Sequence, residues 1–373
     1  MRATVRRSAR ALVVPLSVYL VSRVVVLVAL GAAGVLVPGY DPGSLRFDWD
    51  AQHYLYIAEH GYPPLYPPEG GYLAHTAFFP LLPWATRALD LVTPFSLRTT
   101  ATLVAQVSGA LAAVMVWLLA RETVGGDRRA AIATAFVVLW PASVVFSMFY
   151  TDALFVALGA ACLLALRRRW WLAAGAAAMF ASALRPTGAA LGAACAWAAV
   201  AEIASKRTTG SLRSLIAPAL APLGGLAYFT FLYVKFDDFF LWFEAEEVGW
   251  GGGFDFGRHF VSDHVMQGLA HPVRDFGLFV SGVAGLCVLA LLVWAIVDRL
   301  PAEHVVMSAV VVVLALGTGF GASVPRYLLG AFPLAFVPAR RLPDLAAGGV
   351  AMVAAAGLAV FTLVIALTRV VAP

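Results

Sequence analysis

The chain alternates between long apolar stretches and short polar ones. Runs long enough to cross a hydrocarbon core of about 30 Å fall near 11–37, 100–120, 130–149, 151–166, 170–184, 188–204, 216–234, 276–297, 303–322, 327–339 and 344–368. This pattern predicts an all-α polytopic membrane protein with about eleven transmembrane helices, in which the short runs 170–184 and 188–204 are tilted or form one broken helix. Arg2, Arg6, Arg7 and Arg10 precede the first run. That run is longer than a signal-peptide core and has no small-residue cleavage site, so it is expected to stay in place.

Composition agrees. Of 373 residues, 61% are hydrophobic and 13% charged, against about 45–50% and about 25% in soluble domains; mean hydropathy is +0.85. A soluble or disordered chain is excluded. The formal charge of +5 would suggest nucleic acid in a soluble protein, but its placement marks topology instead. Alternate loops gather 16 of the 26 basic residues, including Arg121, Arg128, Arg129, Arg167, Arg168, Arg169, Lys206, Arg207, Arg213, Arg299, Arg340 and Arg341, on the side of the N-terminus. The positive-inside rule makes that side cytoplasmic. The opposite side holds 15 of 21 acids and six of seven histidines.

Loop length points the same way. Inner connections are short, whereas 38–99 and 236–275 on the outer side are long, so chemistry is expected on the extracytoplasmic face of a single transmembrane domain spanning 1–373. Span centres nearly lack Asp and Glu, and no internal repeat stands out, which disfavours an ion pathway or a transporter. Cys162, Cys195 and Cys287 lie singly in separate apolar runs and read as core residues rather than a disulfide or metal set.

The first outer loop is dense in chemistry. Asp48, Trp49, Asp50, His53, Tyr54, Tyr56, Glu59 and His60 follow the first run within a few residues of one another. Helical spacing puts Asp50 and His53 on one face of a short interfacial helix that Gly61 ends. A carboxylate there can take a proton from an attacking hydroxyl; an aromatic belt with solvated charges accounts for the same residues. Asp48 and Asp50 are too few for a cation cage. Residues 77–84, Ala-Phe-Phe-Pro-Leu-Leu-Pro-Trp, suit a surface-lying or re-entrant segment.

The second outer loop carries Trp242, Glu244, Glu246, Glu247, Trp250, three glycines at 251–253, Asp255, His259, Asp263 and His264. Aromatics with acids suit sugar hydroxyls, and the glycines suit loop closure. A solvated loop fits equally, and His259 with Asp263 and His264 has only passable spacing for zinc.

Several of these pieces resemble the PIG-V family, the second mannosyltransferases of glycosylphosphatidylinositol synthesis and their bacterial relatives. They are Trp49-Asp50-Ala51-x-His53, Ile57-Ala58-Glu59-His60-Gly61-Tyr62 and Ala77-Phe78-Phe79-Pro80, followed by Phe149-Tyr150-Thr151-Asp152, Arg168-Arg169-Trp170-Trp171, Leu184-Arg185-Pro186-Thr187-Gly188 and Val324-Pro325-Arg326-Tyr327. Gln52 and Asp152 stand where relatives often carry Glu. The resemblance implies a GT-C glycosyltransferase, a multi-span enzyme that takes a sugar, usually mannose, from a polyprenyl phosphate with inversion on the non-cytoplasmic side. Asp50 matches the family's presumed base.

Such a transfer needs a base, groups that stabilise the departing phosphate, and a groove for the polyprenyl tail. Arg326 and Arg185 are the candidates for the phosphate, with Tyr150, Asp152 and Tyr327 beside them and Asp48, Trp49, His53, Glu59 and His60 as further substrate contacts. No cofactor is required; a divalent cation stays open. The expected partners are a polyprenyl-phosphate sugar donor and a glycolipid or other extracytoplasmic acceptor, not nucleic acid. Competing readings are another sugar on the same carrier, a lipid or polyprenol transporter, and a non-catalytic subunit with an enzyme's fold.

Overall fold

A computed structural model describes residues 2–63, 72–206, 209–251, 253–318 and 323–368. The protein is helical: among the described residues no strand forms, and one isolated bridge joins Phe254 to Thr318. Among the described residues six helices are long and apolar enough to cross a membrane, Leu12–Leu36, Leu97–Gly125, Pro186–Ser205, Ser211–Phe236, Phe276–Val297 and Asp344–Thr368, and a bent pair makes a seventh if it counts as one span.

The expected eleven spans are therefore not reproduced by length. The run 130–149 divides into Asp127–Val138 and Pro141–Ser147, bent by 83°. Pro141 starts the second piece, where a proline cannot donate the amide bond that would continue the first helix. The run 170–184 yields Trp171–Ser182, and 303–322 yields Ala302–Gly317, its last four positions lying outside the described residues. Residues 327–339 break into a 3-10 stretch, Leu328–Ala335, with Pro333 inside it, and a short helix, Phe336–Arg341. Hydropathy marked these segments as apolar, but in 130–149 and 327–339 the prolines Pro141 and Pro333 interrupt the run.

Small side chains line the helix contacts. Leu97–Ala120 packs along Asp152–Arg167; both helices bury alanines, Ala105 and Ala112 on the first and Ala157 and Ala160 on the second, and residues of this size let backbones approach closely. Within the same core Cys162 and Cys195 meet as buried thiols 3.7 Å apart, so two of the three cysteines expected to be isolated are neighbours. Arg23, inside the first span, is buried and donates to the Ser147 hydroxyl at 2.7 Å and the Ser143 hydroxyl at 3.4 Å. An intramembrane cation is costly unless it is bonded; here it tethers the first helix to the bent segment, which leads directly to Tyr150.

Charged residues separate into two groups. Those assigned to the inner side pair with one another: Asp298 accepts from both Arg340 and Arg341, Arg128 pairs with Asp344 at 2.7 Å, and Arg168 pairs with Glu122. Arg129 donates to the carbonyls of Ala339 and Leu342. The second group, assigned to the outer side, lies partly around the first outer loop and partly within the second, where Arg274 pairs with Asp275 at 2.9 Å.

Candidate active site

The loop after the first span ends in the Asp50–His60 helix. Gly61 terminates it at φ +75° with its amide bonded to the Ile57 carbonyl, a backbone setting that favours glycine. At the other end Trp49 has φ +51° and ψ −126°, which is strained for a residue with a side chain. That turn separates Asp48 from Asp50. Buried Ala51, Tyr54, Leu55, Ile57 and Ala58 anchor the helix, and the Phe149 amide donates to the Arg46 carbonyl at 3.0 Å, joining the loop to the Tyr150 segment.

Asp50 meets Arg326, its Oδ2 accepting from Nη1 at 2.5 Å. The Arg326 side chain is buried, while Asp50 keeps 24% of its side-chain surface exposed. The Asp50 backbone amide donates to the Tyr150 hydroxyl at 3.2 Å, leaving the Tyr150 O–H free to donate elsewhere. Arg326 lies on the Val324–Tyr327 helix, opened by Pro325, whose carbonyl accepts from the Trp140 indole at 2.8 Å. Trp140 is also one wall of a small apolar cavity of about 50 Å³, lined with it by Phe136, Val288, Leu291, Leu328 and Phe332.

A second ion pair stands beside the first. Arg185 Nη1 donates to Asp152 Oδ1 at 2.5 Å, and both side chains are largely buried. The Tyr327 ring joins the pairs, with the Arg326 guanidinium 4.8 Å and the Arg185 guanidinium 5.5 Å from its centroid. Two acids and two arginines thus form a nearly neutral cluster, which lowers the cost of burying each charge. Arg326 keeps a buried Nε–H with no acceptor among the described residues. Burial opposes its charge, but Asp50, then Tyr327, Asp152 and Tyr150, outweigh this and hold it protonated. Burial and then the Asp50 charge keep the Tyr150 phenol well above its ordinary pKa, hence neutral.

His53 is one turn along from Asp50. Its Nδ1 is 3.1 Å from His75 Nδ1, and its ring stacks on Phe78 at 4.5 Å. Burial lowers the pKa of both histidines; His53 adds to the effect on His75, which falls to about 4. Both rings are therefore neutral near pH 7. Residues 76–78 are fixed through their carbonyls: Tyr228 donates to Thr76 at 2.6 Å, the Trp242 indole to Ala77 at 3.1 Å, and Tyr62 to Phe78 at 2.5 Å.

The candidate residues divide into two sets. Asp50, Tyr150, Asp152, Arg185, Arg326 and Tyr327 converge. Asp48 and Glu59 lie on the other side of the Asp50–His60 helix, lining an open depression of about 720 Å³. His60 is exposed and tilts against Tyr56 at 4.6 Å, and Trp49 packs on the core. In the second outer loop, His259 binds Asp255 at 2.8 Å, and among the described residues no group of three His, Cys, Asp or Glu side chains converges to hold a metal ion.

One acid of that loop feels the charges of the centre. Glu246, on the Leu241–Trp250 helix, is partly buried, and burial followed by the Asp50 charge raises its pKa to about 7, against a lowering by Arg326. Nothing in the spacing of Glu244, Glu246 and Glu247 distinguishes it. The one available signal is Trp242, a turn earlier, whose indole anchors this helix to Ala77.

The fold is of the GT-C type. The chain is similar to the crystal structure of ArnT from Cupriavidus metallidurans bound to undecaprenyl phosphate, with TM-score 0.52 and 17% identity over 90% of this chain and 62% of that one. It is also similar to the Archaeoglobus fulgidus oligosaccharyltransferase in the apo form, with TM-score 0.50 and 15% identity over 94% of this chain and 56% of that one. The chain thus spans about three fifths of the length of the structures it matches. At these identities the likeness establishes the fold alone. No protein-family model and no curated protein matches the chain.

Proposed function

We propose that the protein is an inverting glycosyltransferase that moves mannose from polyprenyl-phosphate mannose to an extracytoplasmic acceptor, giving an α-mannoside. The observation that carries this reading is the contact of Asp50 with Arg326, a partly exposed carboxylate beside a cation with a spare donor. The sugar on the donor follows from the family resemblance. Segregation of the charged residues into two groups supports the outward-facing site.

In this mechanism the donor phosphate accepts from the Arg326 Nε–H and the Tyr150 hydroxyl. Arg185, held by Asp152, adds positive potential across Tyr327. Asp50 Oδ2 stays on Arg326, and Oδ1 accepts the proton of the acceptor hydroxyl. The acceptor oxygen attacks the anomeric carbon opposite the phosphate; its C–O bond forms as the bond from that carbon to the phosphate oxygen breaks. The electron pair leaves on polyprenyl phosphate, where the guanidinium stabilises it. Every step is supplied by side chains, and a divalent ion is not needed for charge balance.

The test is incubation of detergent-purified protein with radiolabelled polyprenyl-phosphate mannose and a membrane lipid extract, beside Asp50→Asn. A labelled product made only by the unmutated protein supports the assignment. Saturable donor binding without product shifts the acceptor to a protein or polysaccharide, and absence of donor binding refutes the mannose-donor reading.

A further inference from the structure

Arg23 lies within the first span, is buried, and among the described residues has no acid partner. Its guanidinium donates to hydroxyls instead: Nη1 to Ser147 Oγ at 2.7 Å, Nη2 to Ser143 Oγ at 3.4 Å and Nε to Ser22 Oγ at 3.3 Å. It also sits over the rings of Tyr19 at 5.2 Å and Phe146 at 5.9 Å. Tyr19 is wedged against Gly109, where a Cβ would overlap the phenol ring, so the cation is held from below. A buried charge with only neutral partners is less favourable than an apolar residue of the same size. Packing alone does not account for it. The stretch it grips, however, needs support. Pro141–Ser147 is a 3-10 helix of seven residues, a geometry in which runs beyond about four residues are uncommon, and it follows the 83° bend.

Each end of that stretch holds one member of the Asp50–Arg326 pair. At its start the Trp140 indole donates to the Pro325 carbonyl at 2.8 Å, next to Arg326. Past its end the Tyr150 hydroxyl accepts from the Asp50 amide at 3.2 Å, and the Arg326 guanidinium lies 5.0 Å from the Tyr150 ring centroid. Ser143 and Ser147 stand between these two holds, and the Ser143 hydroxyl donates to the Val138 carbonyl at 2.6 Å, which ties the two sides of the bend. We propose that Arg23 is a positioning residue: by fixing Ser143 and Ser147 it sets the spacing of Trp140 and Tyr150, and through them the alignment of Asp50 with Arg326. The inference rests on the glycosyltransferase reading above and adds a control point inside the membrane, outside the ion-pair cluster. A guanidinium presents its donors in a fixed plane and holds both hydroxyls at once. A lysine ammonium is a point charge and does not fix their separation.

The test uses the full chain in detergent and compares Arg23→Leu, Arg23→Lys, the double variant Ser143→Ala with Ser147→Ala, and the triple variant that joins the serine changes to Arg23→Leu. Two quantities are read: transfer from polyprenyl-phosphate mannose to a membrane lipid extract, and the fluorine NMR resonance of fluorotyrosine in place of Tyr150. In Arg23→Leu kcat is expected to fall about 10- to 100-fold, the scale of a small misalignment of reacting groups. The donor KM changes less than threefold, the fluorine resonance shifts, and the melting temperature holds or rises because a buried cation has been removed. The serine double variant is expected to reproduce both changes, and the triple variant to add less than twofold, because the three side chains act as one hold. Arg23→Lys recovers part of kcat. An unchanged kcat in Arg23→Leu overturns the proposal, as do losses that multiply in the triple variant or a fall in kcat that only follows a fall in melting temperature. Should Arg23→Leu fail to fold, Arg23→Lys and the serine double variant carry the same comparison. If the unmutated protein transfers nothing, the reading of the reaction fails, and the fluorine resonances alone decide whether Arg23 positions Tyr150.

Discussion

The Arg326 guanidinium and the Asp50 carboxylate, 276 positions apart in the chain, meet at 2.5 Å. This pairing gives each group a second task. Asp50 is oriented by the contact that also holds Arg326, so neither can move without disturbing the other. Replacing Asp50 by Asn keeps the shape and removes the base. Turnover is expected to fall by about 10²–10⁴-fold, with donor affinity changed much less. Tight donor binding with undiminished turnover in this variant would remove Asp50 from the role.

Arg326→Ala is expected to act first on the donor. Loss of charge-assisted hydrogen bonds to the phosphate, worth about 1.5–3 kcal/mol, weakens donor binding roughly 10- to 100-fold. The variant is also expected to be less stable, by less than the roughly 3–5 kcal/mol of a broken fully buried pair, because Asp50 keeps 24% of its side-chain surface exposed. Arg326→Lys restores a charge but not the fork geometry and recovers only part of the affinity. Donor titration followed by fluorescence or thermal shift separates these effects; unchanged donor affinity in Arg326→Ala would count against the phosphate assignment.

Glu246 sets a pH dependence. Its carboxyl is protonated below about 7, mainly through burial and then the Asp50 charge. Above that pH an added negative charge opposes the donor phosphate. The pH profile of kcat/KM is expected to fall as pH rises through about 7, and Glu246→Gln, which mimics the protonated form, is expected to lose that descending limb. A limb that persists unchanged in the Gln variant assigns the ionisation to another group.

The histidine pair makes stability fall in acid. His75 holds its proton only below about 4 in the folded protein, whereas in the unfolded chain it does so below about 6.5. Between those values the unfolded state binds the extra proton, so the contribution is complete above about 6.5 and is lost as pH drops toward 4. His53, also lowered by burial, adds in the same direction. The melting temperature is expected to drop between pH 7 and pH 5, and to drop less in His75→Phe; equal drops in both proteins would rule out the pair as the cause.

Gly188 tests the placement of Arg185. A Cβ there would lie 2.4 Å from Ser182 Cα and 2.6 Å from Ser182 N, against backbone that cannot yield. Gly188→Ala is expected to cost about 1–3 kcal/mol, as overpacking does, and to reduce turnover by shifting Arg185 from Asp152. A variant with native thermal stability and activity would show that the turn adapts freely.

Much of this architecture is visible in the residue order. Helical spacing after Trp49, with Gly61 at the end, is a local signal, and the Asp50–His60 helix follows it. The charge asymmetry between alternate loops is also local, and the arginines assigned to the inner side pair with the acids Asp298, Asp344 and Glu122 assigned to that side. Span length was less legible, because Pro141 and Pro333 interrupt runs that hydropathy reads as continuous. The division of Asp48 from Asp50 depends on a single positive φ at Trp49, which nothing in the sequence announces. Glu246 was hidden among three glutamates, since its approach to Asp50 is set by how Trp242 docks the Leu241–Trp250 helix on Ala77.

The long separation between Asp50 and Arg326 also orders events during biosynthesis. Asp50 leaves the ribosome well before the residues that fix its surroundings: Tyr150, Arg185, then Tyr228 and Trp242, which clamp residues 76–78, and finally Arg326. A nascent chain that ends before residue 300 therefore carries the outer loop without the counter-charge of its carboxylate. In such chains, tethered to the ribosome, the segment 38–63 is expected to be cut readily by an external protease, and to become resistant only once residue 326 has emerged and inserted. Protection at shorter lengths would mean that the loop is shaped without its distant partner.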